Sequence, residues 1–297
     1  MAEGSAAPAR NIPGLTPAGL RRIRSVFRLL SVFSPALSAR LAARLFITPR
    51  TRRISEQDAH FLATAASRRL PTPHGDVQVY EWPGAGPAVL VLHGWTSYAG
   101  QLACIIEGLR AHGLRVAAFD APAHGRSGGR QADLYSFRDA LAAVSGACAP
   151  TGAILAHSFG ALTAASWLAE DAAAAHLRAA VLVGLPRDIG YLFQSFTMAM
   201  GLSTQVIERV RALFRARYGG YPEEYSATVL AQRIHIPVLL VHGGSDEYIP
   251  AAHAEEVALQ LRDGQIQVIG GLSHSAPLRD PRTVELMAQF ISARLQP

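Results

Sequence analysis

Three side chains that could perform chemistry together each follow a predicted buried strand. Ser158 stands in Ala156-His157-Ser158-Phe159-Gly160, between an apolar strand pattern and an alanine-rich helix pattern. Small residues two positions on either side allow strand and helix to approach closely around a sharp turn, which pushes the serine hydroxyl outward. The stretch therefore predicts a strand, a turn and a helix with a nucleophilic serine at the apex.

A serine nucleophile needs a base, an acid that orients the base, and hydrogen-bond donors for the oxyanion. Asp246 follows the apolar strand pattern 238–241, and His274 follows the strand pattern 265–269. Both residues therefore project from the carboxyl ends of strands, where open α/β sheets hold their sites. We predict that His274 is the base and Asp246 the acid.

Predicted strands alternate with predicted helices along most of the chain. The strand patterns cover residues 76–82, 88–92, 116–119, 152–156, 179–183, 238–241 and 265–269. The helix patterns cover 101–111, 134–147, the segment after Ser158, 251–261 and 281–295. Alternation of this kind predicts an α/β fold with right-handed crossovers and a mostly parallel central sheet, covered by helices on both faces.

Taken in order, these motifs resemble those of the α/β-hydrolase superfamily, in particular its serine esterases and lipases. The matching stretches are His93-Gly94-Trp95, residues 120–127, the serine turn, the pattern Gly-x-x-Asp-x-x-Ile-Pro at 243–250, and His274. The resemblance covers residues 76 to about 294, and Ala156 departs from the glycine more common in the family. It implies that the backbone N–H groups of Trp95 and Phe159 hold the oxyanion. It also leaves Asp188 as the alternative acid, because some relatives carry the acid after the preceding strand.

The resemblance implies a serine hydrolase that cleaves an ester-like bond, most simply a carboxylesterase. Thioesterase, perhydrolase, peptidase and carbon–carbon bond hydrolase activities use the same three residues and stay open, as does a non-catalytic binding protein of this fold. We expect a small cap insertion at about 186–234. Its uncharged stretch 189–207 either lines an apolar acyl pocket or packs the cap onto the main domain.

Composition excludes some chemistries and argues against others. The sequence has no lysine, which excludes a P-loop lysine and a pyridoxal phosphate Schiff base. We expect no cofactor. We also expect no metal, because the histidines lack ligand spacing and those near strand ends are typical of loop hydrogen bonding. The histidines near strand ends are His93, His124, His157 and His242. Asp120 is expected to be a carboxylate that braces a turn. Cys104 and Cys148 are predicted to pack in the core.

Residues 1–75 form a basic N-terminal extension outside the expected hydrolase domain at 76–297. Ten arginines and one acid lie in the first 53 residues, against 18 arginines and 21 acids beyond them, so a nucleic-acid partner is not expected. Thr16-Pro17 and Ser34-Pro35 each predict the start of an amphipathic helix. The helices are expected to dock on the enzyme, with an anionic membrane surface as the alternative partner and a membrane-bound scaffold as a rival function. Oligomeric state is left open.

The sequence favours a cytoplasmic location, with peripheral contact at the inner membrane surface left open. A secretory signal is the competing interpretation of the first helix, but Arg28 interrupts its apolar region. The long uncharged stretch 140–169 could suggest a membrane span, yet Pro150 and Gly152 break it. We therefore predict a helix end, a buried strand and a second helix there.

Overall fold

The computed structural model of the chain describes residues 16–50, 52–220 and 225–295. Its centre is an eight-stranded sheet in the order β1-β2-β4-β3-β5-β6-β7-β8, in which β2 runs in the direction opposite to the other seven strands. The strands are β1 Ala66–Leu70, β2 Val77–Trp82, β3 Ala85–Leu92, β4 Leu114–Asp120, β5 Thr151–His157, β6 Ala179–Val183, β7 Val238–Gly243 and β8 Gly264–Ile269. The predicted α/β class and mostly parallel sheet are confirmed.

Helices cover both faces of this sheet. The helices of the described residues are α1 Pro17–Phe33, α2 Pro35–Phe46, α3 Glu56–Leu62, α4 Ala103–Ala111, α5 Leu134–Ala147, α6 Phe159–Glu170, α7 Ile189–Met200, α8 Thr204–Tyr218, α9 Ala227–Ala231, α10 Ala252–Ala258 and α11 Pro281–Leu295. Alternate residues of β3 face opposite layers, since Leu90 packs with the α5 and α6 side and Val91 with the α4 and α11 side. Both faces of the strand are therefore buried, as its continuous apolar run predicts.

The sheet begins inside the segment that we expected to be an extension. Strand β1 forms an antiparallel hairpin with β2, pairing Ala66 with Glu81 and Leu70 with Val77. The expected boundary between residues 75 and 76 therefore falls in the turn of this hairpin. The sequence pattern missed β1 because it is an edge strand whose residues are mostly exposed and carry no apolar alternation.

The N-terminal helices α1 and α2 pack on the insertion between β6 and β7. That insertion contains α7, α8 and α9, and Phe27 and Ala42 of the N-terminal pair share one apolar cluster with Phe193 and Val210. Thr16 and Ser34 cap the two helices and a proline opens each, as predicted. Two distant parts of the chain therefore pack together. We call α1, α2 and this insertion the roof.

The uncharged stretch 140–169 divides into the end of α5, strand β5 and α6. Within the three described ranges, no helix combines the length and apolar character needed to cross a membrane. Cys148 is buried as predicted, but the prediction for Cys104 is wrong, because it lies on the exposed side of α4. The core-facing positions of that helix are Ile105, Ile106 and Leu109.

Candidate active site

Ser158 occupies a strained turn between β5 and α6. Its backbone has φ 54° and ψ −121°, a region that residues with a side chain rarely adopt and that costs about 1–3 kcal/mol. Such strain is typical of a serine presented at the top of a hydrolase sheet. A Cβ on Gly160 would lie 2.3 Å from the carbonyl oxygen of His93, so only glycine allows α6 to begin this close to the neighbouring loop.

The structure brings the three predicted side chains into one hydrogen-bonded chain. His274 Nε2 lies 2.9 Å from Ser158 Oγ, and His274 Nδ1 lies 2.6 Å from Asp246 Oδ2. The carboxylate accepts from the Nδ1–H group, which leaves Nε2 free to accept the serine proton. The parallel pairing of β5, β6, β7 and β8 aligns their carboxyl ends and so unites residues 116 positions apart in the sequence.

Four donors hold the Asp246 carboxylate, whose side chain is 1% exposed. Oδ1 accepts from the backbone N–H groups of Tyr248 and Ile249 at 2.9 Å, and Oδ2 lies near His274 and, at 3.1 Å, His242 Nε2. Burial would raise the pKa of this carboxyl, but the hydrogen bonds from His242 and His274 lower it well below its usual range. Asp246 therefore stays ionised beside His274.

The alternative acid, Asp188, lies elsewhere. Its side chain caps the start of α7 by accepting from the Tyr191 N–H, and it pairs with Arg187 at 3.1 Å. These contacts describe a helix cap stabilised by a neighbouring cation. The structure does not bring Asp188 into hydrogen-bond contact with His274, since a helix begins immediately after it and uses its carboxylate.

Trp95 and Phe159 come from loops that the sheet places side by side. Strand β3 pairs with β5 so that Leu92 lies opposite Ala156, and the two loops follow directly. The Phe159 N–H belongs to the first residue of α6, where helical N–H groups have no intrahelical acceptor. In the part of the chain that the structure describes, the Trp95 N–H likewise donates to no protein group. Both donors are thus free to bind a developing oxyanion.

Two buried histidines form hydrogen bonds that hold the loop containing Trp95, which is the role that we expected of them. His93 Nε2 accepts from the Ala121 N–H at 2.9 Å, and His124 Nε2 accepts from the Thr96 N–H at 3.1 Å. Burial lowers the pKa of His93 to about 4 and that of His124 to about 3, so both rings remain neutral acceptors. Asp120 braces the next turn by accepting from the N–H groups of Ala99 and Arg126.

Two further histidines support the base and the acid through the loop hydrogen bonding that we expected of them, although the sequence did not indicate which groups they contact. His157 Nε2 lies 3.3 Å from the carbonyl oxygen of His274, and burial lowers the pKa of His157 to about 3. His242 Nε2 lies between Asp246 Oδ2 and the Ile249 carbonyl oxygen. The sequence signal was limited to their positions, at the last residue of β5 and the last but one of β7. Among the described residues, no three His, Cys, Asp or Glu side chains could hold a metal ion together.

Ser158 and His274 open onto a cavity of about 820 Å³. The cap contributes Tyr191, Leu192, Phe196 and Met200 to its walls, whereas Phe193 is buried in the core and Met198 is 40% exposed. Some side chains of the uncharged stretch 189–207 therefore line the cavity, and others pack the cap, so each of the two alternatives holds for part of the stretch. The N-terminal extension also lines the cavity, through Ile23, Leu45, Phe46 and Ile47. Sequence reasoning missed this contribution, because helical periodicity identifies an apolar face but not its partner.

Comparison with known proteins agrees with this geometry. Residues 85–215 match the family model described as serine aminopeptidase, S33. The uncharacterized protein Rv2307c of Mycobacterium tuberculosis is 29% identical over 201 residues, an alignment that spans 65% of this chain and 65% of that relative. The match therefore covers less than two thirds of the relative's length.

Solved structures with similar folds include two esterases. Esterase Pf2001 of Pyrococcus furiosus has a TM-score of 0.63 and 19% identity, covering 84% of this chain and 98% of its own. Esterase RhEst1 of Rhodococcus sp. ECU1013 has a TM-score of 0.59 and 19% identity over 77% of this chain and 99% of its own. A proline iminopeptidase of Mycobacterium smegmatis has a TM-score of 0.57 and 17% identity over 77% and 98%. Its sheet order, its strained serine turn and its likeness to these structures show that this chain has the α/β-hydrolase fold.

Proposed function

We propose that this protein is a serine hydrolase that cleaves ester bonds of apolar acyl substrates through an acyl-enzyme. The observation that carries the proposal is the hydrogen-bonded chain from Ser158 through His274 to Asp246, which opens onto a mostly apolar cavity. A buried, ionised carboxylate behind a histidine that contacts a strained serine matches the requirements of acyl transfer.

In the proposed mechanism, Ser158 Oγ attacks the ester carbonyl carbon while His274 Nε2 takes the serine proton. The N–H groups of Trp95 and Phe159 stabilise the oxyanion, and the Asp246 carboxylate stabilises the imidazolium. The tetrahedral intermediate collapses, the carbon–oxygen bond to the alcohol breaks, and His274 gives the alcohol its proton. Water then attacks the acyl-enzyme with His274 again as base, which releases the carboxylic acid and restores Ser158.

The walls of the cavity support an apolar acyl group as substrate. The volume of about 820 Å³ is within the range of pockets that bind small molecules. Aromatic and aliphatic side chains of the cap, at about 186–234, and of α1 and α2 line the cavity onto which Ser158 opens. We propose that these two parts together form the acyl-binding pocket. The two esterases of similar fold support cleavage of an ester but do not indicate the length of the acyl chain.

A serine peptidase is the second candidate, because the matching family model is described as a serine aminopeptidase. The same three residues can cleave an amide, and Glu247 on the cavity wall could bind a substrate ammonium group. Rates on p-nitrophenyl acyl esters and on aminoacyl p-nitroanilides separate the two candidates. Faster turnover of the anilides at equal concentration would replace the esterase proposal. Thioesters belong in the same screen.

A fluorophosphonate probe tests whether the protein is an enzyme at all. We expect covalent labelling of Ser158 and none in Ser158→Ala, which should also lower the rate of ester hydrolysis by about 10⁶-fold. The Ser158→Ala protein should retain its fold, as circular dichroism can check. A folded wild-type protein that resists the probe would favour a non-catalytic binding protein. A Ser158→Ala variant with more than a tenth of the activity would contradict the serine assignment.

A series of p-nitrophenyl esters of increasing chain length tests the acyl pocket. We expect medium-chain esters to exceed acetate in kcat/KM, and Phe196→Ser to remove that preference, because Phe196 lines the cavity. Met198→Ser is the matched control on the same helix, since Met198 is exposed and does not line the cavity. A preference for acetate that Phe196→Ser leaves unchanged would contradict the pocket assignment.

A further inference from the structure

The corner between α1 and α2 carries a cluster of exposed apolar side chains. The cluster consists of Val26, Leu29, Val32, Phe33 and Leu37, and its most exposed members, Val32 and Phe33, are 75% and 78% exposed. The four positions on α1 point away from Leu20 and Phe27, the side of α1 that packs into the protein, and Leu37 lies in the first turn of α2. Solvent-exposed valine, leucine and phenylalanine side chains grouped at one corner indicate a surface that binds another apolar partner. We call these five residues the apolar tip.

Arginines surround the apolar tip on the same two helices. Arg21, Arg22 and Arg28 of α1 and Arg40 and Arg44 of α2 are all exposed. Between residues 16 and 50 the sequence contains no aspartate or glutamate that could neutralise them. Arg22 lies about two turns before Leu29, and Arg40 lies about one turn after Leu37, so the cations stand behind the tip on both helices. The surface therefore combines exposed apolar side chains with unbalanced positive charge.

We propose that this surface docks on an anionic lipid bilayer, with the apolar tip inserted among the lipid chains and the arginines at the headgroups. Charge complementarity favours this occupant, because a second copy would bring the same arginines against each other. The first 15 residues are a poorer occupant, since their only large apolar side chains are Met1, Ile12 and Leu15. Apolar side chains beside arginines are typical of helices that lie at a membrane interface.

The inner side of the same helix pair connects this surface to the cavity. Ile23 of α1 and Leu45 and Phe46 of α2 line the cavity that contains Ser158. Docking would therefore hold the roof of the cavity against the bilayer, where apolar acyl compounds concentrate. The docking proposal itself does not depend on the proposed hydrolase activity, because lipid binding is measured directly.

Co-sedimentation of the full chain with lipid vesicles tests the proposal. Vesicles of phosphatidylglycerol and phosphatidylcholine should bind the protein, vesicles of phosphatidylcholine alone should bind it far less, and added salt should weaken the binding. Arg22→Gln with Arg40→Gln should lower the partition coefficient about 25-fold, at about fivefold for each arginine. Val32→Ser with Phe33→Ser should lower it at least as much.

The matched control is Leu259→Ser with Arg262→Gln, which removes another exposed leucine and arginine, in this case after α10. It should bind vesicles as the wild-type protein does, and all variants should keep the wild-type melting temperature because the changed side chains are exposed. Equal loss in the control pair, or no wild-type binding to anionic vesicles, would overturn the proposal. So would a wild-type dimer that Val32→Ser with Phe33→Ser makes monomeric, or binding that disappears only on deletion of residues 1–15.

Discussion

Replacing Asp246 with asparagine removes one charge at nearly constant size, and the surrounding donors determine how the new amide must lie. Oδ1 accepts from the backbone N–H groups of Tyr248 and Ile249 at 2.9 Å each. The asparagine oxygen must take this place, because an NH₂ group cannot accept a hydrogen bond. The NH₂ group then points at His274 Nδ1, which is 2.6 Å from the present carboxylate oxygen.

An amide donor in that position forces His274 into the tautomer that cannot act as the base. Nδ1 must then accept, so the proton of the neutral ring moves to Nε2, which can no longer take the proton of Ser158. Loss of the charge also removes the stabilisation of the imidazolium. We expect kcat to fall by about 10⁴-fold, which corresponds to about 5.5 kcal/mol in the activation barrier. The amide also faces a donor on the buried His242, which should lower the free energy of unfolding by about 1–3 kcal/mol.

The assay is the initial rate of p-nitrophenyl ester hydrolysis, with Asp188→Asn as the control that makes the same chemical change. The asparagine introduced by this control should cap α7 about as well as the aspartate does, so the kcat of the control should stay within about threefold of the wild-type value. Circular dichroism must show that both proteins are folded. If Asp246→Asn keeps more than a tenth of the wild-type kcat, or if Asp188→Asn is the more damaging change, the assignment of the acid is refuted.

Three further predictions concern the roof, the base and the pH dependence of stability. Phe46→Ala should lower the free energy of unfolding, measured by urea denaturation, by about 2–4 kcal/mol, because the centroid of its ring lies 5.2–5.6 Å from those of three cap phenylalanines. The control Phe33→Ala should lower it by under about 0.5 kcal/mol, because Phe33 is exposed, and equal effects of the two changes would contradict the packing of α2 on the cap. Gly184→Ala should lower the kcat of ester hydrolysis by about ten- to a hundredfold with the fold retained, because Gly184 has φ +59° and a Cβ there would lie 3.0 Å from His274 Cε1. An unchanged kcat would contradict the need for His274 to keep its present position. Burial lowers the pKa of His93 to about 4 and of His157 to about 3, below the unfolded value of about 6.5, so between roughly pH 6.5 and 4 the unfolded chain binds more protons. The free energy of unfolding should therefore fall as the pH drops through that window, by up to about 1.4 kcal/mol per pH unit for each histidine, and urea titrations that show no such slope would contradict the neutral state of the two rings.

Local patterns in the sequence were sufficient for strands β2 to β8 of the sheet and for the side chains of the candidate site. Buried parallel strands carry long apolar runs, so β3 to β7 are visible without any knowledge of their neighbours. Ser158, Asp246 and His274 each lie within five residues of a strand end, and aligned strands bring such residues to one edge. The order of motifs along the chain was therefore enough to predict that these three would meet.

Only the tertiary structure decided what covers the site and what supports it. Strand β1 carries two arginines and no apolar alternation, so only its pairing with β2 reveals it. His242 joins Asp246 because the loop after β7 folds back, which no spacing indicates. The partner of α1 and α2 was equally hidden, since an amphipathic helix specifies a face to be buried but not the surface that buries it. Their docking on the cap makes Phe46 a wall of the cavity, because contact between segments about 150 residues apart depends on shape complementarity, which appears only when the chain is folded.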